Sequence, residues 1–305
     1  MNANHLAFDI GAETLRWGVV SPGMVILEQG VVTLRSQTLE GLSNEVASLA
    51  SKASHEIDSI GVSVSGSVSD DDPQGTVLGG EAPRYLDGVP LGAELSFATS
   101  LPVSVTNCGK AAALGEYAAG ALRGAGLGVA ILLGSHIDGG IVCDGRALCG
   151  AHGFAGSFGL LRNSPFEGEM RLSDDMDGTC GWPALKRAIL ETKGMLDVGD
   201  VNGHALFDWV MRGDPDALRG LHSYAKQLCM WILNLQCVLD PEVFAIGGGI
   251  SAQPALAEAL QTTLRAMLAD LPVKGLPRPK IVICELGDDA RLIGAVYEAR
   301  RRAGR

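Results

Sequence analysis

Twice along this chain, two short apolar runs are joined by a glycine-bearing turn, first at "FDIGAET" (8–14) and again at "LLGSHIDGG" (132–140). Each pair is followed by strand-like runs that alternate with segments of helical period. Early on, "LAFDIG", "LRWGVVS" and "MVILEQGVVTL" read as a meander of strands. A helical pattern follows over about 39–54, then the strands "SIGVSVSG" and "LPVSVTN". The later half has a long helix at about 215–238, with Asp214 as N-cap and Pro215 in its first turn. The strand "EVFAIGGG", a helix over 254–269, the strand "KIVICEL" and a last helix from about Asp289 complete it. Strands alternating with helices in both halves predict an α/β protein of two lobes built on similar sheets.

The 305 residues, 47% hydrophobic, are enough for two cores of about 150 residues each. The expected division is an N-terminal lobe over 1–118, completed by a C-terminal helix at about 289–305, and a second lobe over 119–288. The boundary falls within "YAAGALRGAGL". Residues 164–180, the least regular stretch, read as a surface insertion.

A net charge of −11 argues against nucleic acid or an anionic membrane as partner. The basic tail "EARRRAGR" reads as a solvated helix end with cations at its C-terminal dipole. No apolar run reaches the roughly 18 residues of a membrane span. The N-terminus lacks the basic start and apolar core of a signal peptide. Seven cysteines without a CxxC pair suit a reducing cytoplasm better than a disulfide framework.

"VSVTNCGKAAALGEYAAG" (103–120) is a strand, then Asn107, then a helix expected from about Gly109. Polar residues at such a junction face a cleft, and here Cys108 stands at its mouth. The two glycine turns, with a third at "AIGGGIS" before a helix, are either tight hairpins that need glycine anyway or backbone cradles for one nucleotide.

Taken in order, "DIG…T", "SVSGSV", "TNCGKAAALGE", "LGSHIDGGIVCDGRALCGAHGFAGSFG", "DPEVFAIGGGIS" and "LGDDARLIGA" resemble the ROK sugar kinases of the actin–hexokinase superfamily over roughly residues 6–300. The first strand pattern comes at the start of the sequence, so the helix-turn-helix that the family's repressors carry is not expected. The resemblance implies a cleft enzyme that moves the ATP γ-phosphate, with Mg²⁺, to a sugar hydroxyl. It also implies a homodimer. It places Asp9, Gly11 and Thr14 in the first phosphate turn and Gly134, Ser135, Gly139 and Gly140 in the second. Gly247, Gly248 and Gly249 fall under adenosine, and Asn107 and Gly66 on the sugar side.

The chemistry departs from the family's pattern. Cys108 occupies the position of the general-base aspartate, and Lys110 that of a following asparagine. Glu13 stands at a threonine, while His136 and Asp138 replace glycines. Ser157 replaces a sugar-binding glutamate and Leu160 a zinc-ligand histidine. Cys180 is the one survivor of three zinc cysteines, so zinc is not expected, and "GTCGW" is expected to pack through Trp182. His136, His152 and Cys180 fit no standard zinc spacing. The residues that would select a sugar, around Arg84, His152 and Ser157, also differ.

A thiol matches the task of a general base poorly, and such a base typically contributes 10²–10⁴-fold in rate. Were Glu13 and Asp138 to face a triphosphate at about 6 Å, each would cost on the order of 3 kcal/mol at an effective dielectric of about 20. Otherwise they point to solvent from the turn tips. Three readings follow: a sugar- or nucleotide-binding protein with impaired catalysis, an active hexose or N-acetylhexosamine kinase in which Asp9 or Asp138 takes the proton, and a sugar-responsive regulator whose DNA binding resides in a partner.

Overall fold

A computed structural model describes residues 3–35, 37–79, 83–163, 175–195, 201–272 and 275–304. Its elements run β1 (Asn4–Ile10), β2 (Thr14–Val20), β3 (Ile26–Thr33), α1 (Leu39–Lys52), β4 (Ile57–Val64), α2 (Leu91–Thr99), β5 (Val103–Asn107), α3 (Cys108–Ala119), β6 (Leu127–Leu133) and β7 (Ile137–Cys143). They continue with β8 (Arg146–Ala147), α4 (Met176–Cys180), α5 (Trp182–Thr192), α6 (Gly203–Met211), α7 (Pro215–Leu239), β9 (Val243–Gly247), α8 (Pro254–Asp270), β10 (Ile281–Ile283) and α9 (Asp289–Ala303). The first sheet is ordered β3-β2-β1-β4-β5, the second β10-β9-β6-β7-β8. The chain divides into two compact units, residues 1–126, 139–156 and 285–305 in one and 127–138 and 157–284 in the other.

In the first unit β1 is central, and six of its seven residues are buried. The edge strand β3 alternates between half-buried and exposed positions, the period-2 signature of a strand with one solvated face. β1 runs antiparallel to β2 and parallel to β4, which is parallel to β5. All three parallel strands therefore end on the same side. Leu6, Phe8, Ile60 and Val62 meet Leu42 of α1 and Leu91 and Leu95 of α2 in one buried cluster. α9, from the end of the chain, packs on α3 so closely that a Cβ on Gly294 would strike the Ala111 carbonyl, and one on Gly115 the Ala290 carbonyl. Only glycine permits that backbone-to-backbone approach.

The second unit pairs β6 with β9 and β9 with β10, all parallel, alongside helices α4 to α8 among the described residues. α7 starts as its sequence predicts: Asp214 accepts from the amides of Asp216 and Ala217, both at 3.0 Å, with Pro215 at the first helical position.

Two expectations are corrected. α3 opens at Cys108, one residue early, because Asn107 is its cap. Of the segment expected to be a surface insertion, 164–174 lies outside the described residues. Residues 176–180 form the short helix α4, with Met176 and Cys180 fully buried. Asp175 caps α4 by accepting from Gly178 N at 2.7 Å.

Candidate functional site

The carboxyl ends of β1, β4 and β5 carry Asp9, Gly66 and Asn107, the side of a parallel sheet on which ligands bind. Register sets Asp9 opposite Ser63, and Ser63 opposite Thr106. The buried Asp9 carboxylate accepts from Ser63 Oγ at 2.6 Å and pairs with the Arg291 guanidinium at 3.4 Å. Arg291 belongs to the "LGDDARLIGA" segment at the head of α9, and its role was not visible in the sequence. Beyond Asp9 the chain turns tightly, Gly11 N donating to Thr14 O at 2.9 Å. Glu13 and Thr14 are exposed on that turn.

Asn107 uses its amide to build the fold. Oδ1 accepts from Gly109 N (3.0 Å) and Lys110 N (3.1 Å), while Nδ2 donates to Gly66 O at 2.9 Å. An amide nitrogen has two hydrogens, so one donor remains for a ligand. Cys108 follows directly, half-buried on the first turn of α3.

Lys110 is 2% exposed, and its Nζ donates to Gly153 O at 2.7 Å. Ser67 Oγ donates to His152 O at 2.8 Å, and Cys149 Sγ lies 3.4 Å from Asp70 Oδ1. Burial and the neighbouring Asp70 push the Cys149 thiol up to about 12. These contacts tie residues 149–153 to the loop after β4. The His152 side chain is exposed. Arg84 is exposed at the start of a 3-10 turn over 84–86. Gly139 and Gly140 are buried in β7, and a Cβ on Gly140 would come within 2.8 Å of Ala113 Cβ. Packing against α3 alone accounts for that glycine.

In the second unit the turn between β6 and β7 is held from α4 and α5. Gly134 O accepts from Trp182 N at 2.7 Å, His136 Nδ1 lies 2.7 Å from Asp177 Oδ2, and Asp177 Oδ1 accepts from Ile137 N. Asp138 is half-buried. A cavity of about 520 Å³ adjoins the turn, lined by Gly134, Ser135, Trp182, Lys186, Phe207 and Gly249, among others. Gly248 has φ +87°, and a Cβ there would strike the Leu133 backbone. One on Gly247 would meet Cys284 Sγ at 2.8 Å. Gly249 differs: a Cβ on it would meet nothing within 4 Å. Packing demands the first two glycines, while the third leaves backbone open to the cavity.

Ser157 is half-buried, and its side chain makes no capping bond to the 3-10 turn over 158–160. Leu160 is 68% exposed. Two long-range hydrogen bonds anchor the segment around Cys180, and Trp182 lines the cavity. Tyr224 Oη donates to Cys180 O at 2.5 Å, and Trp231 Nε1 to Thr179 Oγ1 at 3.1 Å. Burial pushes the Cys180 thiol up to about 12, which disfavours the thiolate that zinc requires. Among the described residues no three His, Cys, Asp or Glu side chains are grouped to hold a metal ion, and these residues do not fit the zinc site of the resembling family. Also among them, no helix is long and apolar enough to cross a membrane.

The profile of the ROK family matches residues 5–302. The chain belongs to the ROK family. It is 33% identical over 290 residues to the bifunctional enzyme NanE/NanK of Brucella melitensis, covering 95% of this chain and 52% of that protein, so it spans about half the length of that relative. It is 28% identical to the β-glucoside kinase of Klebsiella pneumoniae, covering 95% and 94% of the two chains. The crystal structure of a ROK glucokinase from Streptomyces griseus, in complex with glucose and AMPPNP, superposes with a TM-score of 0.81 at 25% identity, over 98% and 99% of the chains. The fold is thus that of the actin-like and hexokinase-like sugar kinases, and the chain is sugar-kinase-like.

Within this ROK chain, sequence reading did not single out Arg291 in the first unit or Asp177 and Lys186 in the second. Asp177 had a faint signal, since an aspartate in the first turn of a helix is a common partner for neighbouring amides. The segment's irregular composition hid that helix.

Proposed function

We propose that this ROK protein binds a hexose or N-acetylhexosamine together with an adenine nucleotide, and that its phosphoryl transfer is impaired where the sugar hydroxyl must lose its proton. The observation that carries the reading is Cys108, half-buried on the first turn of α3 directly after Asn107. A sugar hydroxyl held there would face a thiol in place of a carboxylate. Asp9 stands in register with Ser63 and, through it, with Thr106, and it is already engaged by Ser63 and Arg291.

The remaining parts support binding. Asn107 keeps one amide hydrogen for a sugar oxygen, and Gly66 and the 149–153 loop are fixed around it. The cavity beside Gly249 offers aromatic walls from Trp182 and Phe207 for a base and polar groups from Ser135 and Lys186 for phosphates. A Mg²⁺ ion takes one or two protein carboxylates and substrate phosphates. Asp9 fits that part, and the ion would neutralise phosphate charge. A cytoplasmic homodimer completes the reading, and sedimentation tests the dimer.

The second reading, an active kinase, draws on the retained Asp9 and nucleotide-sized cavity, since positioning and electrostatics carry most of phosphoryl transfer. Coupled assay of ATP consumption across hexoses, β-glucosides and N-acetylhexosamines separates the two. Binding by thermal shift with turnover far below ordinary enzyme rates, roughly 1 s⁻¹ and above, supports impairment, and turnover in that range overturns it.

A further inference from the structure

We propose that Trp182 makes this chain a reader of the face of a base and not of its edge, so that purine nucleoside phosphates bind as a class, guanine nucleotides about as well as adenine ones. The inference rests on the nucleotide part of the reading above and names the specificity of that same cavity, whose lining lies wholly within the second unit.

The indole is held from both ends. Trp182 N donates to Gly134 O at 2.7 Å as α5 begins, and Pro183 follows in the first turn. Gly181 fixes the entry, since a Cβ there would come within 2.8 Å of Asp177 O and 3.0 Å of Ser135 O. At the far end, a Cβ on Gly203 would sit 3.5 Å from Trp182 Cη2, so the six-membered ring lies beside the first residue of α6. Between those supports the side chain is only half-buried, and it lines both the cavity of about 520 Å³ and a neighbouring one of about 560 Å³. An aromatic ring that is fixed yet open is suited to stacking.

The cavity walls divide by polarity. Leu133, Phe207 and Ile250 are buried, at 0%, 5% and 5% exposure, and none carries a polar side-chain atom. The polar side chains form the rim: Ser135, Asn202 and His204 are exposed, and Lys186 and Gln253 half-buried. Asn202 Oδ1 is committed to the cap of α6, accepting from Ala205 N at 3.0 Å. A flat apolar body therefore enters with its hydrogen-bonding edge toward water. Strong discrimination between edges comes from buried polar groups that the wrong ligand leaves unpaired. Among the described residues lining this cavity no side chain is of that kind. Every base has a π-face, and stacking on it tolerates changes at the edge. Purines offer the indole two fused rings and pyrimidines one, so ring size is what this wall can measure.

Isothermal titration of the whole chain with ADP, GDP, UDP and pyrophosphate tests this, with tryptophan fluorescence followed in parallel. ADP and GDP are expected to bind within about threefold of one another and UDP about tenfold more weakly. The nucleotides should quench tryptophan emission and pyrophosphate should not. Trp182→Leu should raise the Kd of ADP and GDP alike about tenfold, the scale of one base–aromatic stack, close most of the gap to UDP and leave pyrophosphate as it was. Trp182→Phe, which keeps an aromatic face, should retain most of the ADP affinity and lose the quenching. A wild-type preference of roughly thirtyfold or more for ADP over GDP overturns the proposal alone. So does ADP affinity unchanged in Trp182→Leu, equal weakening of ADP and pyrophosphate in that variant, or quenching intact in Trp182→Phe. A wild type that binds none of the three nucleotides overturns the nucleotide reading and the proposal together.

Discussion

The Lys110 ammonium donates to the Gly153 carbonyl across 2.7 Å with the lysine 2% exposed, so a buried cation at the head of α3 holds the loop that follows β8. This is an uncomfortable place for positive charge, since helix N-termini favour anions. The ammonium's bond to the Gly153 carbonyl compensates part of the hydration lost on burial. Lys110→Met keeps the stem and removes the bond, leaving a carbonyl without its partner. The expected cost is about 1–3 kcal/mol, read as a lowered urea midpoint with unchanged slope. Faster proteolysis within 149–156 should accompany it. An unchanged midpoint would show that the bond is replaceable.

Cys108→Asp restores a carboxylate on the first turn of α3, where the helix dipole also favours it. If the rest of the site is competent, sugar-dependent ATP turnover should rise by roughly 10²–10⁴-fold, the ordinary worth of a general base. Cys108→Ala should leave the low wild-type rate where it is. A fall in rate for alanine would mean that the thiol itself takes part.

How much of this was legible beforehand depends on the range of the interaction. β1 through β5 and α7 to α9 follow from period, caps and glycine, all local signals. Asn107 was visible as a site residue for the same reason: it closes a strand and opens a helix. Lys110 reaching Gly153, Arg291 reaching Asp9 and Asp177 reaching His136 span 43, 282 and 41 positions. No spacing rule finds such partners. α2 went unmarked, since "PLGAELSFATS" has small residues and no polar N-cap side chain. Glycine reads ambiguously in this chain: a Cβ on Gly140 would meet α3 and one on Gly248 the Leu133 backbone, so packing by itself requires glycine at both positions, whatever else their backbone does.

His5 gives the fold an acid-sensitive element. Its Nδ1 lies 2.9 Å from Ser59 Oγ, and burial, reinforced by the Arg300 charge, depresses its pKa below the ordinary 6.5. The native state therefore binds this proton less well than the unfolded chain does. Stability contributed by the neutral ring is present above about pH 6.5 and declines as pH falls below it. Asp72 and Asp214, also depressed, act in a separate window, their contribution fading only as pH falls below about 4. Urea titrations from pH 7.5 to 5 should show the decline, and His5→Gln should flatten it. An identical slope in both proteins would assign the effect elsewhere.

Glu116 is a structural carboxylate within α3. It belongs to the "LGE" of α3 and is fully buried. Its Oε2 accepts from Ala121 N at 2.8 Å and Glu285 N at 3.1 Å, and Oε1 from Leu286 N at 2.9 Å. One side chain thus ties the end of α3 to the segment entering α9, the helix that packs on α3. Three amides share this one carboxylate, so its removal takes the acceptor from all of them at once, at about 1 kcal/mol each where water can replace it and up to about 3 kcal/mol where it cannot. Glu116→Ala should therefore lower stability by several kcal/mol, seen as a large drop in urea midpoint. Glu116→Gln retains one carbonyl oxygen but turns an NH₂ toward an amide donor, so it should fall between alanine and wild type. Thermal shift by sugar should persist in the glutamine variant, because the residue holds helices rather than ligand. Loss of sugar binding without loss of stability would instead move Glu116 into the binding site.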